Sequence, residues 1–196
     1  MEARGVHVGR LGAAIAAPFA LLALAGCGGG ARQDANEPSG NFKVQVVKAD
    51  FPGKQALAQQ SNMVISVRNV DSKTIPNVAV TVKSFQYDVK DTTLADPSRP
   101  VFVVNKPPRG GDTAYVDTYA LGPLKPGRTA SFRWSVTAVR PGPFKITYRV
   151  AAGLNGKARA VLSQGGAPGG TFTGSVSQKA PNTKVADDGK TVVTTP

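Results

Sequence analysis

From residue 129 to 139 apolar and polar side chains alternate: Phe132, Trp134 and Val136 share one parity, Arg133, Ser135 and Thr137 the other. After Pro141-Gly142 the scheme repeats, with Phe144, Ile146, Tyr148 and Val150 set against Lys145, Thr147 and Arg149. A period of two predicts half-buried strands. Two strands cannot bury their apolar face alone, so the rest of the chain must supply a second layer. Upstream, Phe42, Val44 and Val46 predict a first strand ending near Asp50-Phe51-Pro52-Gly53, and residues 54–60 a connection that continues the edge strand. Met63, Ile65 and Val67 predict a second strand, residues 69–73 a turn, and Val78, Val80 and Val82 a third strand with Lys83 outward. Asn155-Gly156 is a strong hairpin signal, with the last core strand over residues 157–162. The glycines of 165–170 read as a linker, 171–177 as an added edge strand, and Asp188-Gly189 as the turn of a terminal hairpin or part of a frayed tail.

Two stretches carry a resemblance. Met63-Val64-Ile65-Ser66-Val67-Arg68-Asn69 followed by Asn77-Val78-Ala79-Val80-Thr81-Val82 resembles the start of bacterial CARDB and NEW3-type immunoglobulin-like domains. Leu124-Lys125-Pro126-Gly127 and Pro141-Gly142-Pro143-Phe144 resemble the approaches to the E-type and F-type strands of the same domains. The resemblance covers about half the chain beyond the leader and implies a fold, hardly a function. The expected fold is an all-β, immunoglobulin-like β-sandwich over residues 42–162, with an inserted segment, 86–122, between the third strand and the E-type strand. So long an excursion should have structure of its own. Strands are expected at 101–104 and 115–121, around the irregular Lys106-Pro107-Pro108-Arg109-Gly110-Gly111-Asp112. Arg109, Tyr115 and Tyr119 are the candidate recognition residues of this loop, because loops on rigid sheets commonly carry recognition.

The ends place the domain in a compartment. Arg4 and Arg10 precede an apolar run from residue 11 to 25, too short to cross a bilayer comfortably, which ends in Leu24-Ala25-Gly26-Cys27. Those four residues resemble the bacterial lipobox, which implies a signal peptide over 1–26 and lipidation of Cys27. The alternatives are an ordinary signal peptide with an incidental Cys and a simple N-terminal membrane anchor. Acyl chains such as palmitate on Cys27 would hold the protein at the extracytoplasmic face of the cytoplasmic membrane, or on an outer membrane if the cell has one. Residues 27–41 are expected to be the lipidated Cys and a flexible tether, and 163–196 a Gly-rich linker and tail.

Charge then sharpens the reading. The 196-residue chain has 24 Lys and Arg against 12 Asp and Glu, a formal net charge of +12. Residues 42–162 hold 18 of the cations, seven Asp and no Glu. A basic exported domain suits anionic surroundings, although solubility alone accounts for basicity equally well. In an immunoglobulin-like sandwich the third and last two strands share a sheet, so Lys83, Lys145, Arg149 and Arg159 are expected on one face as a candidate anion-binding cluster.

Several chemistries drop out. The one histidine, His7, lies in the leader, and Cys27 is the one cysteine. The mature chain therefore lacks the residues for Ser-His-Asp or Cys-His catalysis and for His- or Cys-ligated metals. No phosphate-loop spacing occurs, no cofactor or metal is expected, and the interleaved aromatics of a nucleic-acid surface are missing. Asp88, Asp91 and Asp96, and the Asp187-Asp188 pair, are the carboxylates left for hydrolysis, and turn chemistry explains them as well. Trp134 and Tyr148 share the inward parity and read as core. The expectation is a non-catalytic binding or scaffolding module for an envelope protein or anionic envelope polymer. The alternative is a structural spacer or accessory subunit of an envelope complex, with an Asp-dependent hydrolase behind both.

Overall fold

The alternating segments become strands wherever their apolar parity finds an opposing sheet. The computed structural model describes Glu2 and residues 34–83, 85–88, 98–180 and 182–195. Its strands are β1 (Gly40–Asp50), β2 (Lys54–Ala56), β3 (Gln60–Asn69), β4 (Ala79–Lys83), β5 (Gln86–Asp88), β6 (Ser98–Pro100) and β7 (Phe102–Lys106). They continue as β8 (Thr118–Ala120), β9 (Thr129–Ala138), β10 (Gly142–Ala151), β11 (Ala158–Val161), β12 (Gly169–Ser177), β13 (Asn182–Val185) and β14 (Val192–Thr195). One five-stranded sheet has the order β11-β1-β3-β9-β7 and the other β2-β12-β10-β4-β8; β5 with β6 and β13 with β14 form small hairpins. The neighbours β1-β3-β9-β7 and β12-β10-β4 are those of an immunoglobulin sandwich, so the fold is all-β and immunoglobulin-like.

The inward parity is buried as the pattern predicts. Met63, Ile65 and Val67 of β3, Phe132, Trp134 and Val136 of β9, and Val80 and Val82 of β4 are each 0% exposed. Phe102 of β7 meets Phe144 of β10 edge-on at 5.1 Å, and Phe51 packs on both at 5.2 and 5.7 Å, so an aromatic cluster ties the two sheets. Burying side chains of this size contributes roughly 1.5–3 kcal/mol apiece. Contacts divide the chain after Ala31, and the compact unit Arg32–Pro196 holds all fourteen strands and the whole described core, which is what a self-folding domain requires.

Four expectations need correction. The described parts of residues 86–122 are only partly a structure of their own: β5 and β6 pair with each other outside both sheets, while β7 and β8, near the two expected strands, join β9 at the edge of one sheet and β4 at the edge of the other. Asn155-Gly156 does not close a hairpin. β11 runs parallel to the start of β1, with Arg159 opposite Asn41, in the sheet that does not contain β10. On the side away from β4 the partner of β10 is β12, which contains the strand expected at 171–177 but begins inside the supposed linker and lies between β10 and β2, not at the edge. Its glycines serve close approach: a Cβ on Gly170 would come within 2.8 Å of the Tyr148 ring, and one on Gly174 within 2.0 Å of the Gly53 carbonyl oxygen. Finally, the expected tether is fixed from Asp34 onward. The Glu37 carboxylate accepts backbone N–H groups of Leu154 (2.7 Å) and Asn155 (2.9 Å), and the Tyr115 hydroxyl donates to Asp34 Oδ2 at 2.7 Å.

Candidate anion-binding face

β10 sits at the centre of its sheet and sends Lys145, Thr147 and Arg149 outward while Phe144, Ile146, Tyr148 and Val150 go to the core. Register then decides what faces each cation. Lys83 lies opposite Thr147, Arg149 opposite Thr81, and Lys145 opposite Thr173. Lys54, which the sequence hid in a three-residue strand too short to show parity, lies opposite Ser175. Every cation of this face thus has a hydroxyl side chain across from it and no carboxylate. The five strands contain no Asp or Glu at all. None of the four cations forms an ion pair with a described carboxylate.

The opposite sheet differs. There Lys48 pairs with Asp50 at 3.7 Å, and Asp71 Oδ2 accepts the Lys43 backbone N–H at 2.8 Å, which holds the Asp71 carboxyl below the usual carboxylate range. Like charges on neighbouring strands repel when nothing separates them. On the β2-β12-β10-β4-β8 face hydroxyl groups take the intervening positions, and Thr81 and Thr118 hydrogen-bond each other at 2.9 Å. Exposed ammonium and guanidinium groups interleaved with hydroxyls can bind a chain of anionic groups by charge and by hydrogen bond together.

The sequence-based candidates divide accordingly. Lys83, Lys145 and Arg149 share the face, and Lys54 joins them. Arg159 does not: it projects from β11 in the other sheet, because alternation fixes the side of a strand and says nothing about which strand it pairs with. Arg149 and Arg159 nevertheless border one cleft, of about 460 Å³, where β10 and β11 diverge. Arg109 is exposed on a turn of the 86–122 segment. Tyr119 is not a free recognition residue. It faces inward, meets Trp134 edge-on at 5.4 Å, and burial raises its hydroxyl above the usual tyrosine range. Tyr115 is 39% exposed and its hydroxyl is committed to Asp34.

Trp134 is fully buried, which removes it as a sugar platform. Tyr148 stacks on Phe172 at 5.4 Å, and burial raises its pKa. Asp188 is a turn residue: its carboxylate accepts the Lys190 and Thr191 backbone N–H groups and the Thr191 hydroxyl, which lower its pKa. Cys27, His7, Asp91, Asp96 and the Asp88 side chain lie outside the described residues. Among the described residues no three His, Cys, Asp or Glu side chains gather as a metal site, and no helix is long and apolar enough to cross a membrane.

No protein-family model matches the chain, and no curated protein matches it. Among solved structures it is similar to the CARDB domain of a Pyrococcus furiosus protein, at 14% identity and a TM-score of 0.44, covering 72% of this chain and 93% of that one. It is also similar to E. coli alpha-2-macroglobulin, at 14% identity and a TM-score of 0.43, covering 69% of this chain and 7% of that much longer one. A PapD-like domain of human CEP192 is similar at 10% identity and a TM-score of 0.39, over 91% of this chain and 100% of that domain.

Proposed function

We propose that the protein is a non-catalytic binding module, held at the extracytoplasmic membrane surface through lipidated Cys27, whose β2-β12-β10-β4-β8 face engages an anionic envelope polymer. The observation that carries the reading is the face itself: Lys54, Lys83, Lys145 and Arg149 stand opposite Ser or Thr on strands without one acidic residue. A cationic face made only for solubility would tolerate acids between its strands. A face made for a polyanion would not, because each carboxylate would compete with the ligand.

The test is co-sedimentation of the Arg32-onward chain with isolated cell wall, and with anionic and neutral vesicles, across a salt series. Expected is binding to the wall polymer that weakens steeply with salt and falls about tenfold in a Lys83→Gln/Lys145→Gln double variant. Binding equally strong in that variant, or indifferent to salt, would assign the interaction elsewhere. Preference for the anionic vesicles over the wall would make the lipid headgroup the partner. The anchor is tested separately, since Cys27→Ser should move the full chain out of the membrane fraction.

A further inference from the structure

A second feature lies at the end of the sandwich where β10 and β11 part into different sheets. β11 is an edge strand paired only with β1, and its open side faces the 162–168 turn, which is closed by hydrogen bonds from Leu162 N to Gly166 O (3.0 Å) and from Val150 N to Pro168 O (2.9 Å). The cleft between them is about 460 Å³, within the roughly 300–1,000 Å³ of small-molecule sites. Its floor is apolar and closed, because Val150, Ala158 and Ala160 line it at 6, 1 and 8% exposure with buried Pro168 beside them, while exposed Ala167 and half-buried Val161 carry the apolar surface that solvent reaches.

Charge is arranged differently from shape. Both cations on the lining, Arg149 from β10 and Arg159 from β11, are exposed, Thr81 adds a hydroxyl, and no acid lines the cleft. A larger cleft of about 560 Å³, beside residues 36–38, is instead lined by Glu37 and Asp112 and lacks any cation. An apolar wall bordered by two guanidinium groups is complementary to an amphiphile. Guanidinium pairs well with phosphate or carboxylate, and the alanine wall supplies no polar partner for anything but hydrocarbon.

We propose that this cleft binds a single-chain amphiphile with an anionic head, the head held by Arg149 and Arg159 and the hydrocarbon lying over Ala167 and Val161, above the closed floor of Val150, Ala158 and Ala160. The site is distinct from the polymer face apart from the shared Arg149 and Thr81. The experiment titrates the Arg32-onward chain, which contains the complete core, with octyl phosphate, octanol and inorganic phosphate, following backbone amide shifts. Octyl phosphate is expected to shift Val150, Ala158 and Ala160 saturably, with octanol and inorganic phosphate at least tenfold weaker. Arg149→Gln and Arg159→Gln should each weaken octyl phosphate about tenfold, the scale of one charge-assisted hydrogen bond. Ala167→Leu, which adds bulk at the exposed apolar lining without changing charge, should weaken binding at least tenfold; exposed Arg159 carries the test if that variant does not fold.

Equal binding of octanol would remove the head from the proposal, equal binding of inorganic phosphate would remove the tail, and no saturable shift at these residues would overturn it. Lys83→Gln/Lys145→Gln should leave octyl phosphate binding unchanged while weakening the polymer. Failure of the cleft and failure of the face are therefore read independently.

Discussion

The Asn69 side-chain amide donates to the Leu124 carbonyl at 2.7 Å across 55 residues of sequence. Its second N–H goes to the Lys73 carbonyl at 2.9 Å, and its Oδ1 accepts the Asp71 N–H at 2.9 Å. Asn69 is 0% exposed, and its backbone also bonds Arg128 O and Gly127 N. One residue therefore pins the β3–β4 turn to the Pro126-Gly127 turn that leads into β9. Two sequence features that look like separate turn signals form one buried junction.

Asn69→Ala should destabilise the domain by about 2 kcal/mol, because it strands the buried Leu124 carbonyl and removes two part-buried bonds, to Lys73 O and from Asp71 N–H. The urea midpoint should fall with the slope unchanged. A loss under about 0.5 kcal/mol would mean that water replaces the amide and that the junction is not structural.

Gly174→Ala tests whether β12 is a designed partner of β10 or a filler. The new Cβ would sit 2.0 Å from Gly53 O and 2.6 Å from Phe144 Cζ, so the β2–β12 pairing or the aromatic cluster must give way. A loss of about 3 kcal/mol is expected from overpacking. The same change at Gly166 (φ +88°) meets nothing within 4 Å, so its cost is confined to the left-handed backbone, about 1–2 kcal/mol.

Glu37→Gln weakens the two backbone N–H bonds that hold residues 34–39 against the 153–155 turn. Amide exchange at Leu154 and Asn155 should accelerate about tenfold, with global stability reduced by about 1 kcal/mol. Unchanged exchange would show that Asp34, through Tyr115 and Asn155, suffices to fix the segment.

Asp71 sets an acid dependence whose sign follows from its partner. The Lys43 N–H, 2.8 Å from Oδ2, lowers the folded pKa, so the stabilisation is fully present above the unfolded value near pH 4 and is lost as pH falls through the folded value. Urea midpoints from pH 6 to pH 2 should fall less steeply below pH 4 in Asp71→Asn than in the parent. Parallel curves would place the acid sensitivity on other carboxylates.

Faces were legible in the sequence; pairings were not. Met63, Phe132, Trp134 and Ile146 were assigned inward from alternation alone and are 0% exposed. Lys83, Lys145 and Arg149 were assigned outward in the same way, and they share a face. Arg159 has the correct parity and the wrong sheet. Tyr119 differs for a related reason: a strand was expected at 115–121, but only the pairing of β8 with β4, which sets Tyr119 opposite buried Val80, decides that its ring faces inward.

The sequence by itself determined the strand periodicity, the inward set, the basic composition and the lack of imidazole and thiol after Cys27. Each of these is local or additive, so no knowledge of distant neighbours is needed. Only the tertiary structure decided that β12, with its glycines, completes the β10 sheet, that residues 34–39 belong to the domain, and that every cation of one face stands opposite a hydroxyl. Strand partner and register depend on which distant segment fits against a given backbone, and at Gly170 and Gly174 that fit depends on a missing Cβ, which a linear reading takes for a linker at 165–170 and for a mere edge strand at 171–177.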